Sequence, residues 1–275
     1  MSASVDQIPL RRGDRWTWVV GDVQGCMDPL HRLMREIEFD HSCDVVWFAG
    51  DLVNRGPGSL DVLRWLIEQG QAIDAVIGNH DLHLLALVAG VDRKVGTLAQ
   101  VLAAPDLERI VEWLRHRPLL VGDADAVIVH AGLSPAWEIS DAFRWAQTLQ
   151  GRLQGDQWRD WLTQMYANQV DSEQLRLERQ ALAYFTRIRG CDVDGNMSSY
   201  SGPPGGCPDG VQPWYRWHAR SERIYFGHWA AHGVDVNERW VSLDSGAVWG
   251  GELSAIRLAD DRLARVAATQ RGVGD

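Results

Sequence analysis

The first ninety residues repeat one pattern three times: a short apolar run, a polar loop opened by glycine, and an amphipathic helix. Residues 16–20, 45–49 and 72–77 read as buried strands, stopped by Gly21, Gly50 and Gly78. Leu30, Leu33, Met34 and Ile37 fall at helical spacing, as do Leu60, Leu63 and Ile67, and 80–88 reads as a third helix. Alternating strands and helices predict a largely parallel sheet covered by helices. A parallel sheet sends the C-terminal ends of its strands to one edge, where ligands of α/β proteins bind.

The pattern then changes. Residues 97–117 read as helical, 119–121 and 126–129 as strands, and roughly 138–185 as mostly helical. The Gly-, Pro-, Ser- and Asp-rich stretch 190–213 reads as a long loop. Apolar runs at 224–226, 240–243 and 253–258 predict β-structure returning to close the domain. The expected organisation is a flexible polar arm over 1–15 and a single domain over 16–270, with a helical and loop insert spanning roughly 138–220.

The strand-end loops share a chemistry. They read Gly21-Asp22-Val23-Gln24-Gly25, Gly50-Asp51 through Asn54-Arg55-Gly56, Gly78-Asn79-His80-Asp81, His130-Ala131-Gly132 and Gly227-His228-Trp229. On one sheet edge these five loops would bring Asp22, Asp51, Asn79, His80, His130 and His228 together. Carboxylates, an amide oxygen and imidazoles suit Mn²⁺, Fe²⁺, Co²⁺ or Zn²⁺. One carboxylate can bridge two ions about 3.5–4 Å apart, as in two-metal hydrolases. A single Gly-Asp after a strand is usually only a turn; five such loops in this order are a specific signal.

These motifs resemble the calcineurin-like metallophosphoesterases, and the resemblance spans roughly residues 18–258. It implies an α/β fold built as a β-sandwich flanked by helices, with a mostly helical cap inserted. Within that family the phrases GDLVNRGPGSLDVLRW, GNHDLHLLALVAG, VHAGLSPAW, AYFTRIR, FGHWAA and LDSGAVWGGELSAIRL look like the bacterial branch that cleaves diadenosine tetraphosphate symmetrically. The resemblance implies two divalent metal ions, Mn²⁺ first with Co²⁺ or Fe²⁺ as alternatives. One would be held by Asp22, Gln24 and Asp51, the other by Asp51, Asn79, His130 and His228. A hydroxide between them would attack phosphorus, His80 would protonate the leaving oxygen, and Arg55 with Arg187 or Arg189 would clamp phosphate oxygens. The expected substrate is a nucleotide polyphosphate, and capped RNA 5′ ends contain the same bridge.

Two positions depart from the family pattern. Gln24 stands where histidine is common, so the first metal is expected to bind less tightly than the second. Asn54 stands where the Ser/Thr protein phosphatase branch, the competing reading, has aspartate. It can accept a hydrogen bond from His80 but adds no charge. A metal-free scaffold would lack the bridging or acid residues, and all are present. Of 14 tryptophans, Trp229 and Trp249 lie in loops near the expected site and are the candidates for stacking on nucleobases. Trp158 and Trp161 are expected to pack a helix face against the core.

The net charge of −10 excludes general DNA binding, so a polyanionic substrate must be drawn by a local cluster of metals and arginines. No apolar run of about 20 residues and no export signal occurs, which predicts a cytoplasmic chain with no membrane partner. The scattered Cys26, Cys43, Cys191 and Cys207 read as free thiols. No obligate protein partner is expected.

Overall fold

The computed structural model describes residues 16–272 except positions 124, 171, 219, 220 and 270. The polar arm expected over 1–15 lies outside the described residues. Two five-stranded sheets form the framework. Strands β1 (Trp16–Val20), β2 (Asp44–Phe48) and β3 (Ile73–Ala75) run parallel in the first sheet. In the second, β4 (Leu120–Gly122) pairs antiparallel with β5 (Ala126–Val129), which runs parallel to β8 (Arg223–Phe226). Strand β9 (Asp235–Val236) flanks β10 (Trp240–Ser242), itself parallel to β8. The hairpin β11 (Glu252–Arg257) and β12 (Leu263–Ala267) returns to β1, giving the orders β12-β11-β1-β2-β3 and β4-β5-β8-β10-β9.

The largely parallel arrangement expected of the first ninety residues holds for β1, β2 and β3, and the whole framework is two mixed sheets, each containing three parallel strands. One edge of the first sheet comes from the C-terminal hairpin, about 235 residues away in sequence (Val20 pairs with Ala255), and period-2 alternation carries no information about partner choice. Alternation does fix which way each side chain faces. Val19, Val45 and Trp47 point inward with Ile128, Tyr225 and Val241 of the other sheet, forming the layer between the sheets. Their neighbours Trp18, Val20, Val46, Phe48, Val127 and Phe226 join the outer core beneath the helices. The β-sandwich flanked by helices follows directly from this two-sided burial.

Helices α1 (Met27–Glu36), α2 (Ser59–Glu68) and α3 (Asn79–Val88) follow the first three strands. The stretch expected to be helical over 97–117 is broken into a short turn, α4 (Ala99–Leu102), and α5 (Leu107–Arg115), with Pro105 at the break. The insert carries α6 (Ile139–Gln154), α7 (Trp158–Tyr166) and α8 (Glu173–Arg187). Trp158 and Trp161 are buried. The fully buried Glu178 ties the three helices together, accepting from Arg152 of α6 (2.9 Å), Trp161 of α7 (2.7 Å) and Gln174 of α8 (3.1 Å). Burial alone would raise its carboxyl, but these donors hold it below the usual range. Stretch 190–213, expected as a loop, also contains a two-stranded ribbon of β6 (Gly190–Cys191) and β7 (Gln212–Pro213). The four cysteines are free thiols. Among the described residues no helix is long and apolar enough to cross a membrane.

Candidate active site

The C-terminal ends of the parallel strands in both sheets open on one cavity of about 1150 Å³. It is lined by Gln24, Asp51, Asn54, Arg55, Asn79, His80, Arg187, Arg189, His228, Trp229 and Trp249, all singled out above. Asp22 and His130 lie just beneath, with Asp22 Oδ1 accepting from the His228 backbone N–H at 2.9 Å. Every residue nominated from the sequence therefore lies at or directly under this cavity.

Asp51, His130 and His228 offer ligand atoms within 4.8 Å of one another, all buried. Backbone carbonyls fix both imidazoles. His130 Nδ1 donates to Ala49 O at 2.8 Å and His228 Nε2 donates to Arg187 O at 3.1 Å. In a neutral ring that leaves the lone pairs of His130 Nε2 and His228 Nδ1 facing inward. Burial, reinforced at His228 by Arg189, pushes both histidines below their ordinary range. The Asn79 amide faces the same point. Turned nitrogen-inward, it donates to His228 Nδ1 (2.8 Å), His130 Nε2 (3.1 Å) and Thr186 O (3.0 Å). Turned the other way, its oxygen joins two imidazole lone pairs and a carboxylate around a common centre, a donor set that fits a divalent cation.

Loop geometry is set by close approach. A Cβ on Gly78 would collide with Asp51, and one on Gly227 with the Asp22 carboxylate. Asp51, Gln24, Asn54, Arg55 and His228 all adopt positive φ, between 44° and 76°. Left-handed backbone costs non-glycine residues of order 1–3 kcal/mol each, and its concentration here marks a functional constraint. Asp81, fully buried at the start of α3, accepts from Leu52 N (2.9 Å) and Gly78 N (2.8 Å), so it fastens the second and third loops together.

The carboxylates fall into two electrostatic groups. Burial would raise Asp51, but His130, His80 and the His80 backbone N–H outweigh it and hold Asp51 below the usual range. Asp22 is driven well above that range by burial, then by Asp244 and Asp51. Burial likewise lifts Asp81 to about 7 and Asp244 to about 6. A site that raises its own carboxyls in this way is poised to accept positive charge.

Beside this centre, His80 Nδ1 is 2.8 Å from Asn54 Nδ2. The sequence led us to expect Asn54 as the acceptor. In the structure its oxygen is taken by the Arg55 backbone N–H (2.8 Å) and the Thr97 hydroxyl (3.3 Å), so the amide presents its NH₂ to the ring. Arg55 Nε points at His80 Nε2 (3.2 Å), and the Arg55 guanidinium stacks 4.8 Å from the centre of the Trp249 ring. Trp249 is 42% exposed, whereas Trp229 is buried and its indole N–H donates to Gly202 O at 2.9 Å. Gln24 offers its amide nitrogen to Asp51 Oδ2 at 3.3 Å.

Sequence reasoning missed Asp244, Asp81 and the far wall made by Arg93, Lys94, Tyr166 and Asn168. Asp81 stands three residues after Gly78 at a helix start, the spacing of a capping box, and could have been found that way. Asp244 follows the apolar run of β10 just as Asp22 follows β1. The far-wall residues carry no local signal, since only the packing of α3 against α7 brings them together.

The calcineurin-like phosphoesterase model matches residues 16–188, and the chain belongs to that family. Among its relatives, a symmetrical bis(5′-nucleosyl)-tetraphosphatase of Nitrosococcus oceani is 43% identical over 88% of this chain and 92% of its own length. One of Burkholderia pseudomallei, with the same description, is 44% identical over 90% of this chain and 91% of its own. A crystal structure of a "putative diadenosine tetraphosphatase" superposes with a TM-score of 0.67 over 95% of this chain and 97% of that one, at 24% identity, a likeness of fold.

Proposed function

We propose that this chain hydrolyses diadenosine tetraphosphate to two ADP, using two divalent metal ions, Mn²⁺ first and Co²⁺ or Fe²⁺ as alternatives. The observation that carries the reading is the inward-facing donor set of Asp51, Asn79, His130 and His228 in one cavity with Arg55, Arg187 and Arg189. The names of the close relatives support the substrate. A cavity of about 1150 Å³ exceeds the roughly 300–1,000 Å³ of ordinary small-ligand pockets, which suits an extended dinucleotide.

In this reading Asp51, Asn79, His130 and His228 would hold one ion, and Asp22 and Gln24, with Asp51, would hold the other. Bound there, the metals supply Lewis-acid polarisation of the phosphoryl oxygens and a water activated at neutral pH. The chain's own groups do the rest. Asn54 donates to His80 Nδ1, which favours the tautomer that carries its proton on Nε2. A neutral imidazole accepts at only one nitrogen, so Arg55 and Asn54 cannot both stay donated to the ring. A phosphate that draws the Arg55 guanidinium away leaves Nε2–H facing the leaving oxygen, in position for general acid catalysis. Arg187 and Arg189 hold further phosphates, and Trp249 offers an exposed face to a base.

The test is product analysis of diadenosine tetraphosphate incubated with the Mn²⁺-loaded chain. Two ADP are expected; AMP plus ATP, or faster turnover of a phosphoserine peptide, would overturn the assignment. A dinucleotide-capped RNA in the same assay reports whether capped ends share the site.

A further inference from the structure

We propose that Asp244 belongs to the first metal position, facing it together with Asp22 and supplying the negative charge that the neutral Gln24 lacks. This rests on the two-metal reading above. Three parallel strands in each sheet end at the cavity, and five of the six deliver a nominated ligand: Asp22 after β1, Asp51 after β2, Asn79 after β3, His130 after β5 and His228 after β8. Asp244 holds the corresponding place after β10, the sixth.

The local geometry brings it against Asp22. Gly21 packs on the Leu243 carbonyl and the Asp244 backbone nitrogen so closely that a Cβ there would collide. Asp244 is 4% exposed and lines the cavity, and its Oδ1 accepts from Gly246 N at 3.1 Å. The Asp22 and Asp244 carboxylates lie within hydrogen-bonding reach of each other. Asp22 Oδ2 is nevertheless buried with no hydrogen-bond donor. Two buried carboxylates meeting without a donor between them need a cation or a proton, since an uncompensated buried charge is costly. Arg189 places its positive charge near Asp244, Asp22 and Asp51, but its guanidinium donates to the His228 carbonyl at 3.4 Å. Among the described residues no ion pair joins Arg189 to any of the three carboxylates. With Asp244 included, the first position has two carboxylates of its own besides the shared Asp51, which offsets the weak ligand at Gln24.

The experiment is Mn²⁺ titration of the metal-free full chain by calorimetry, with thermal melts of the metal-free and loaded forms. The wild type should bind two ions. Asp244→Asn keeps the acceptor for Gly246 N and should weaken one ion by about 10–100-fold while sparing the other. Its metal-free form should melt no lower than wild type, because a carboxylate repulsion is gone. Unchanged affinity for both ions overturns the inference. So does a lower metal-free melting temperature with the Mn²⁺-induced increment intact, which would mark a packing role only. Arg189→Gln should leave Mn²⁺ affinity equal or higher; if it reproduces the Asp244→Asn loss, Asp244 acts through Arg189 and the inference falls. A wild type that binds a single ion fails the two-metal reading itself, and the inference with it.

Discussion

Gly78→Ala tests whether the site depends on the spacing of its loops. Gly78 has φ −100° and ψ 177°, which alanine adopts freely, so the substitution acts only through crowding. The added Cβ would stand 2.3 Å from the Asp51 backbone nitrogen and closer still to Oδ1. Rotating the Asp51 side chain relieves the second contact but not the first. The β2 and β3 loops must separate by about 0.7 Å to bring that contact to the 3.0 Å limit. Asp51 is the proposed shared ligand, and its Oδ1 accepts from the His80 backbone N–H at 2.8 Å, so the metals and the acid would move apart together. Displacements near 1 Å cost about 100-fold in catalysis, which puts the expected loss in kcat/KM at roughly 30–100-fold, or about 2–3 kcal/mol. Overpacking should cost a further ~1–3 kcal/mol of stability. Steady-state release of ADP from diadenosine tetraphosphate with saturating Mn²⁺ measures the first quantity and a thermal melt the second. Gly151→Ala is the control: this glycine sits in α6 with nothing within 4 Å of the new Cβ, and alanine there should add about 0.5–1 kcal/mol without touching turnover. Folded Gly78→Ala with kcat/KM within threefold of wild type would refute the reasoning.

Glu178→Ala strips the common acceptor from Arg152, Trp161 and Gln174 and should cost about 3–5 kcal/mol in denaturant unfolding; a loss under about 1 kcal/mol would mean the three helices do not depend on it. Trp249→Ala should raise KM for diadenosine tetraphosphate about tenfold, the worth of one stacked base, while hydrolysis of p-nitrophenyl phosphate stays within twofold; parallel loss on both substrates would argue against stacking. Burial and neighbouring carboxylates raise Asp22, Asp244 (about 6) and Asp81 (about 7) in the metal-free chain, so bound protons must leave as metal enters. Mn²⁺ affinity should therefore rise with pH through the range of about 6 to 7 where Asp244 and Asp81 titrate, with proton release seen as a buffer-dependent binding enthalpy; a flat profile contradicts those shifts. Chelating the metal should lower stability by about 2.7 kcal/mol per ion relative to protein held at a hundredfold excess over Kd, and a melting temperature indifferent to chelator would exclude metals at this site.

Much of this was legible in the sequence because glycine punctuation and donor residues are local signals. Gly21-Asp22, Gly50-Asp51 and Gly78-Asn79-His80 each sit where an apolar run stops, so candidate ligands could be named before any fold was known. What the chain conceals is non-local. The pairing of β11 with β1 joins segments about 235 residues apart. The orientation of the Asn54 amide depends on Thr97, 43 residues away, which competes for its oxygen. Trp229 and Trp249 read alike in sequence, yet one is buried beneath the 202 carbonyl and the other half open, because only tertiary packing decides exposure.

The division of the donors between the sheets has a mechanical consequence. Asp22, Asp51 and Asn79 follow strands of the first sheet, whereas His130, His228 and Asp244 follow strands of the second. The spacing of the centre is therefore set by the layer that joins the sheets, where Val19, Val45 and Trp47 meet Ile128, Tyr225 and Val241. Close-packed interiors transmit small volume changes instead of absorbing them. A substitution in this apolar layer, far from any donor atom, can shift one half of the site against the other as effectively as Gly78→Ala does at the loops. The fully buried Trp47 and the nearly buried Tyr225, both in this layer, are thus placed to hold the proposed metal positions in register.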